Sequence, residues 1–237
     1  MGEPTKLLVF GGTGAIGSAI CAAGVARGWE VTAVSRRATD TPIPGVRSVM
    51  ADPLAEGFVA ADALGAGRYS AVCWAQGANT NDSVYNADLE KNVELYRANC
   101  LYIVASLRAL LSEDMLVKGS RLCVISSIWQ KLARQKKLSY CMTKAALQGL
   151  VLSAAADLAA DGHLINAVLP GALETPMTRK NLSAAQIESL TSATEFGRLA
   201  SLEDVANLAM YLCSEGNTGI TGQFIGADLG YSSVRIV

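Results

Sequence analysis

Tyr140 and Lys144 stand four residues apart in "SYCMTKAALQGL", a spacing that stacks two side chains on one face of a helix. A phenol beside an ammonium is a candidate acid/base pair, because a free tyrosine titrates at about 10 and a nearby cation favours its ionised form. The same spacing arises by accident in ordinary helices, so it gains meaning only from its surroundings. Ser127, thirteen residues before Tyr140, closes the apolar run "RLCVISS".

A second pattern lies near the N-terminus. "LLVFGGTGAIGSAI" sets Gly11, Gly14 and Gly17 at G-x-x-G-x-x-G spacing, after a strand-like run and before a helical one. Glycines there let the backbone turn tightly and approach a pyrophosphate, while the free N–H groups of the helix start attract its charge. A plain tight turn would share the glycines, but the strand-to-helix context favours a dinucleotide site. At the end of the next strand-like run an acidic residue would bind the ribose hydroxyls of NAD, and an arginine would accept the 2′-phosphate of NADP. The sequence has Arg36 and Arg37 there, which favours NADP(H) over NAD(H); two solvated arginines remain the alternative.

The elements that must position these residues alternate along the chain. Apolar strand-like runs at 6–10, 30–35, 46–50, 69–75, 121–127, 164–170 and 222–227 are separated by helical stretches at about 15–27, 53–64, 87–111, 138–160 and 201–214. Ser201 with Asp204 three residues on has the form of a helix N-cap. Strands this apolar, each followed by a helix, indicate a parallel sheet covered on both faces. The expected fold class is α/β: a doubly wound, Rossmann-type parallel sheet of about seven strands in one domain spanning 1–237. Pro42, Pro44 and Gly45 mark only a loop.

Bulk properties narrow the function classes. With 237 residues the chain can bury a substantial core. Its net charge of -1 provides no field to steer it toward nucleic acid or anionic membranes. No apolar run approaches the roughly 18 residues of a membrane span, and "MGEPTKLLVF" lacks a signal-peptide layout. The six cysteines are scattered singly and His163 is the one histidine, so a zinc site is not expected and reduced thiols in a cytoplasmic protein are. His163 reads as structural.

Taken in order, the glycine turn, Asp52 in "MADP", Asn99 in "YRANCLY", the Ser127/Tyr140/Lys144 set, "LPGALETPM" at 169–177, "GRLASLEDVANLAMYL" and "ITGQFIGADLG" resemble the short-chain dehydrogenase/reductase family, in its short single-domain form and near its 3-oxoacyl-ACP reductase-like members. The resemblance implies that Tyr140 exchanges a proton with a carbonyl or alcohol oxygen and that Lys144 lowers the Tyr140 pKa and binds the nicotinamide ribose. By the same resemblance Ser127 holds the carbonyl oxygen and Asn99 positions a relay water. Gly11, Thr13, Gly14 and Ile16 would meet the phosphates, Asp52 and Gly77 the adenine side, and Leu173 and Thr175 the carboxamide. Residues 178–195 would form a substrate lid. Homodimers or homotetramers would form through the long helices at about 87–111 and 138–160.

Departures from the family pattern are local. Phe10 and Ala15 stand where common members have threonine and glycine, and "WAQG" (Trp74 to Gly77) replaces N-N-A-G. Trp74 or Gln76 is therefore expected to reshape the adenine side of the groove. Between Ser127 and Tyr140 the segment carries Lys131, Arg134, Lys136 and Lys137, either a solvated loop or an attractor for a carboxylate, a phosphate or an acyl carrier. The leading expectation is an NADPH-dependent oxidoreductase acting on a small carbonyl or alcohol substrate. A sugar-type epimerase or dehydratase shares the Tyr/Lys pair but carries a longer C-terminal substrate domain, and a non-catalytic NADP(H)-sensing protein commonly loses the tyrosine or the lysine.

Overall fold

The computed structural model describes residues 4–39, 41–65, 67–175, 178–179 and 183–234. Seven strands, β1 (Lys6–Phe10), β2 (Glu30–Ser35), β3 (Val46–Met50), β4 (Tyr69–Trp74), β5 (Leu116–Ile125), β6 (Leu164–Pro170) and β7 (Phe224–Ala227), form one parallel sheet in the order β3-β2-β1-β4-β5-β6-β7. Alternation along β1 divides its side chains between the two faces. Leu8 and Phe10 join Val72, Trp74, Ile103, Leu107 and Leu147 on one side, while Leu7 and Val9 join Ile20, Cys73, Val205 and Ala209 on the other. The first face is covered by α4 (Tyr102–Ser112) and α5 (Leu138–Asp157), and the second by α1 (Ala15–Ala26) and α7 (Leu202–Leu212), which pack on each other. This is the doubly wound sheet that the sequence implies.

Chain order reverses between β1 and β4, whose last residues Phe10 and Trp74 are register partners. A crevice opens beyond the carboxyl ends of strands at such a point. Both functional patterns of the sequence lie on this edge: the glycine turn leaves β1, and Ser127 follows β5.

Three boundaries differ from expectation. Residues 53–59 are turns rather than helix, with Gly57 at φ +71, and only α2 (Ala60–Leu64) is helical. Its first N–H groups, from Ala60 and Ala61, are capped by the Glu113 carboxylate at 3.0 and 2.7 Å. β5 begins at Leu116 rather than near 121, because its first residues pair with Tyr69 before a register shift. The stretch at 87–111 is α3 (Leu89–Tyr96), a π turn (Arg97–Leu101) and α4. The N-cap expected at Ser201 is present as a full capping box with Asp204. His163 is buried, its Nδ1 accepting from the Ser120 N–H at 3.0 Å, and burial lowers its pKa. Among the described residues, no helix is long and apolar enough to cross a membrane.

Candidate active site

The glycine turn is fixed by backbone proximity. Gly11 has φ +76, and a Cβ there would lie 2.5 Å from the Gln76 nitrogen; one on Gly17 would lie 2.1 Å from the Gly11 oxygen. Gly12, outside the spacing motif, is equally constrained, since its Cβ would meet that of Ala33 at 2.5 Å. Gly14 differs: its Cβ would meet only the Gly11 oxygen, at 3.4 Å, and it N-caps α1 with no side-chain cap and no acid in the first turn. Thr13 and Gly14 are exposed and Ile16 is half-buried. The helix start thus presents uncapped N–H groups and an open surface, which suits an anion.

Beside this turn, both polar atoms of the Gln76 side chain are buried with no hydrogen-bond partner. An orphaned buried amide costs roughly 1–3 kcal/mol, and a ribose or phosphate oxygen at the crevice would satisfy it. Trp74 behaves otherwise. It is fully buried, stacked on Phe10 with centroids 6.0 Å apart, and its indole N–H donates to Ser106 Oγ at 2.8 Å. The expectation that Trp74 shapes the groove is corrected: the alternation of β4 puts it in the core.

On the far side of the turn, Arg36 and Arg37 follow β2, exposed, and make no ion pair among the described residues. Asp52, half-buried, accepts from the Leu54 N–H at 3.0 Å and so holds the turn after β3. Tyr102, which no motif singled out, joins this corner. Its phenol is pushed up by burial and then by the Asp52 charge, against a lowering by Arg36. An uncapped helix start, an orphaned amide and unpaired arginines together fit a phosphate-rich dinucleotide with an anionic group near Arg36.

Ser127 lies two residues beyond β5 and caps a 3-10 turn (Ile128–Gln130), its Oγ accepting from the Trp129 N–H at 3.3 Å. Tyr140 lies in the first turn of α5, with Ser127 among the groups that act on its phenol. Burial raises the Tyr140 pKa, and Ser127 opposes that rise. Lys144, one turn further, is buried; its Nζ donates to the Ile125 carbonyl at 3.1 Å and stands 5.7 Å from the Tyr140 ring centroid. Burial brings the Lys144 pKa down to about 8, with Cys100 acting in the opposite sense. The Ile125 carbonyl thus holds the ammonium beside the phenol, and the Ser127 hydroxyl is a second group that acts to lower the Tyr140 pKa.

Asn99 sits in the π turn, a distortion common at functional sites. Its side chain is fully engaged: Oδ1 accepts from the Ala78 N–H at 2.7 Å, and Nδ2 donates to the Ala78 carbonyl at 3.0 Å and to Thr143 Oγ1 at 2.9 Å. Asn99 therefore ties the 77–78 loop to α5. A Cβ built on Gly77 would lie 3.4 Å from Asn99 Oδ1 and 3.9 Å from Lys144 Nζ, so Gly77 joins the two ends of the crevice.

Two supports of Tyr140 had no sequence signal. Asp82, buried, accepts from the Ser139 N–H at 3.0 Å and from its hydroxyl, anchoring the start of α5. Lys137 donates to Asn79 Oδ1 at 2.8 Å and the Thr80 carbonyl at 3.2 Å, and stands 5.8 Å from the Tyr140 ring centroid.

After β6, Leu173 bridges to Ala200 and Thr175 Oγ1 accepts from the Thr178 N–H at 3.1 Å. Residues 176–177 and 180–182, within the expected carboxamide turn and lid, lie outside the described residues. The lid region contributes α6 (Ala184–Thr191), started by a capping box of Ser183 and Gln186 and burying no residue. Across from it lie Trp129 and Arg134, and the two sides enclose a cleft of about 650 Å3.

Comparison with known proteins agrees with this architecture. A family model described as Enoyl-(Acyl carrier protein) reductase matches residues 58–232. The chain is 31% identical over 148 residues to an uncharacterized oxidoreductase, YmfI, of Bacillus subtilis, covering 62% of this chain and 60% of that one. It is 37% identical over 113 residues to the 3-oxoacyl-(acyl-carrier-protein) reductase FabG of Aquifex aeolicus, covering 48% of this chain and 45% of that one. These matches span about half to three fifths of the curated relatives' length. A gluconate 5-dehydrogenase from Burkholderia cenocepacia, solved in complex with NADP and tartrate, shares the fold with a TM-score of 0.89 at 20% identity, over 98% of this chain and 96% of that one. With a family model matched over most of its length and the sheet order found here, the chain belongs to the short-chain dehydrogenase/reductase family and is related to the 3-oxoacyl-ACP reductases.

Proposed function

We propose that the protein is an NADP(H)-dependent oxidoreductase that interconverts a carbonyl and an alcohol, with Tyr140 as the acid/base. The observation that carries this is the convergence of Ser127, Tyr140 and Lys144 on the crevice edge that also holds the glycine turn. When bound, the nicotinamide supplies or accepts the hydride, a chemistry that belongs to the cofactor. The chain's own residues hold the substrate and move the proton. Ser127 Oγ orients the substrate oxygen toward the phenol. Tyr140 Oη gives its proton to that oxygen in reduction and takes it back in oxidation, as a positioned general acid/base. Lys144, a buried cation below its pKa of about 8, favours negative charge on the phenol and binds the ribose hydroxyls. Asn99 and Gly77 fix the loop that faces Lys144.

The dinucleotide is assigned to Gly11, Thr13, Gly14 and Ile16 at its phosphates, Asp52 at the adenine and Leu173 and Thr175 at the carboxamide. NADP(H) is favoured because Arg36 and Arg37 are exposed and unpaired among the described residues; the NADP held by the structurally similar gluconate 5-dehydrogenase supports the same choice. Retention of Tyr140 and Lys144 favours turnover over a sensing role.

Exposed apolar residues on α3 and α4, Leu89, Val93, Tyr96 and Val104, and Met142 and Leu152 on α5 support self-association through those helices, which sedimentation would read as a dimer or tetramer. Described cysteines are unpaired and nearly all buried, which suits the reducing cytoplasm. The assignment is tested by fluorescence titration with NADPH and NADH. NADPH is expected to bind at least about 10-fold more tightly than NADH, a difference of about 1.4 kcal/mol; absence of binding by either would remove the proposal.

A further inference from the structure

The cleft between the Trp129 turn and α6 has a one-sided chemistry. Trp129, Leu132, Leu190 and Tyr231 supply apolar walls, Gln186 an amide, and Arg134 is the one charged residue lining it among those described. Trp129 connects this space to the reaction centre, since its N–H donates to Ser127 Oγ.

The four cations of the 131–137 segment are not equivalent. Lys131 stands 6.0 Å from the Phe224 ring centroid, outside the cleft lining. Lys136 is exposed at φ +58 and also outside it. Lys137 is held by Asn79 and Thr80. Arg134 alone lines the cleft, and it has no ion pair among the described residues. Among the described residues no carboxylate pairs with it: Asp82 is engaged by Ser139, and Glu188 and Glu195 of the lid region do not line the cleft. Burial, and after it the like charge of Arg134, lowers the Lys137 pKa. Arg134 is exposed at the rim of this open cleft, beside the polar side chains of Gln135, Gln186 and Ser189, and a guanidinium there matches the geometry of a carboxylate or phosphate and holds it by paired hydrogen bonds.

From this geometry we infer that the cleft takes a carbonyl compound bearing an oxyanion, a carboxylate or a phosphate ester, at the end of an apolar stem, with Arg134 holding the oxyanion. The stem lies along Trp129, Leu132, Leu190 and Tyr231. The reacting end of the substrate rests on the oxidoreductase assignment above, and the anion site does not.

The test measures equilibrium binding of 3-benzoylpropanoate, phenacyl phosphate and methyl 3-benzoylpropanoate by calorimetry, to the protein alone and with NADP+, which gives no reaction with a ketone. At least one anion is expected to bind about 10-fold or more tightly than the neutral ester. That preference is expected to fall to about 2-fold in Arg134→Gln and to persist in Lys136→Gln. The tighter of the two anions identifies carboxylate or phosphate as the natural group. Equal binding of anions and ester, equal loss in both variants, or no binding of any probe to wild type would overturn the inference, with thermal unfolding confirming that each variant is folded. Turnover with NADPH is read separately: anion preference without reduction of any carbonyl would sink the oxidoreductase assignment and leave the anion site standing.

Discussion

The two sides of the crevice are built by different means. On the cofactor side, the path from β1 to α1 is dictated by backbone against backbone: Gly11, Gly12 and Gly17 each lack room for a Cβ, and the sheet edge beneath them is fully buried. On the substrate side, the wall formed by α6 buries no residue and its chemistry rests on individual side chains such as Arg134 and Gln186. A backbone-built site has little freedom to vary, so it serves a constant ligand. A side-chain-built one can be retuned residue by residue, and in a scaffold of this kind substrate choice resides there.

Substitutions on the two sides should therefore differ in kind. The largest effect is expected for Gly17→Ala, whose Cβ would meet a carbonyl oxygen at 2.1 Å. NADPH affinity is expected to fall about 100-fold or more and stability by about 1–3 kcal/mol, while Ser189→Ala on α6 leaves both nearly unchanged. Calorimetry and denaturant unfolding would read this contrast, and comparable effects of the two substitutions would erase it. Next, Arg36→Ala with Arg37→Ala is expected to reduce the preference for NADPH over NADH by about 10-fold or more. A preference that survived would mean that the 2′-phosphate, if bound, is held elsewhere.

Lys144 belongs to both sides and gives a pH signature. Its pKa in the folded protein, about 8 against the usual 10.5 of a lysine, means that the folded state binds its proton less well than the unfolded chain. The penalty of the buried ammonium is therefore complete below pH 8 and relieved as pH rises from about 8 to 10.5. Lys144→Met is expected to be more stable than wild type at pH 7, by about 1–3 kcal/mol, with the advantage shrinking above pH 8 and turnover lost. Urea denaturation at pH 7 and pH 9.5 checks it, and a variant less stable than wild type at pH 7 would show that the ammonium is well compensated. The smallest effect is expected for Gln76→Leu. Removing an amide with no partner should leave the cofactor-free protein as stable or up to about 1 kcal/mol more so, yet weaken NADPH binding by about 5-fold. Unchanged affinity would remove Gln76 from the cofactor site.

What the sequence made legible follows the same division. Strand-length apolar runs and the glycine spacing reflect backbone requirements, and they led directly to the sheet and to the switch point between β1 and β4. The early start of β5 was hidden because Lys118 and Gly119 interrupt its apolar run, while the pairing that extends it is made with distant Tyr69. Pro53 and Gly57, the latter left-handed, were available signals against a helix at 53–59. Trp74 could have been placed in the core from the alternation it shares with Val72. The π turn at Asn99 had no signature, since five residues of ordinary helical character carry nothing that fixes its hydrogen-bond period. Nor could spacing show that the Ile125 carbonyl, nineteen residues earlier in the chain, would hold the Lys144 ammonium. Asp82 and Asn79 reach Ser139 and Lys137, beside the tyrosine, across more than fifty residues of chain, a relation that local patterns do not encode.

The central claim, that Tyr140 moves the proton in an NADPH-linked carbonyl reduction, is tested most directly by single-turnover hydride transfer with saturating NADPH. Wild type and Tyr140→Phe would be compared on a carbonyl panel that includes the oxyanion-bearing ketones. The rate is expected to fall about 100-fold or more in the variant, the range lost with a general acid, while NADPH affinity stays within about 2-fold because a phenyl ring preserves the packing. Equal rates in the two proteins on every substrate that wild type reduces would contradict the mechanism.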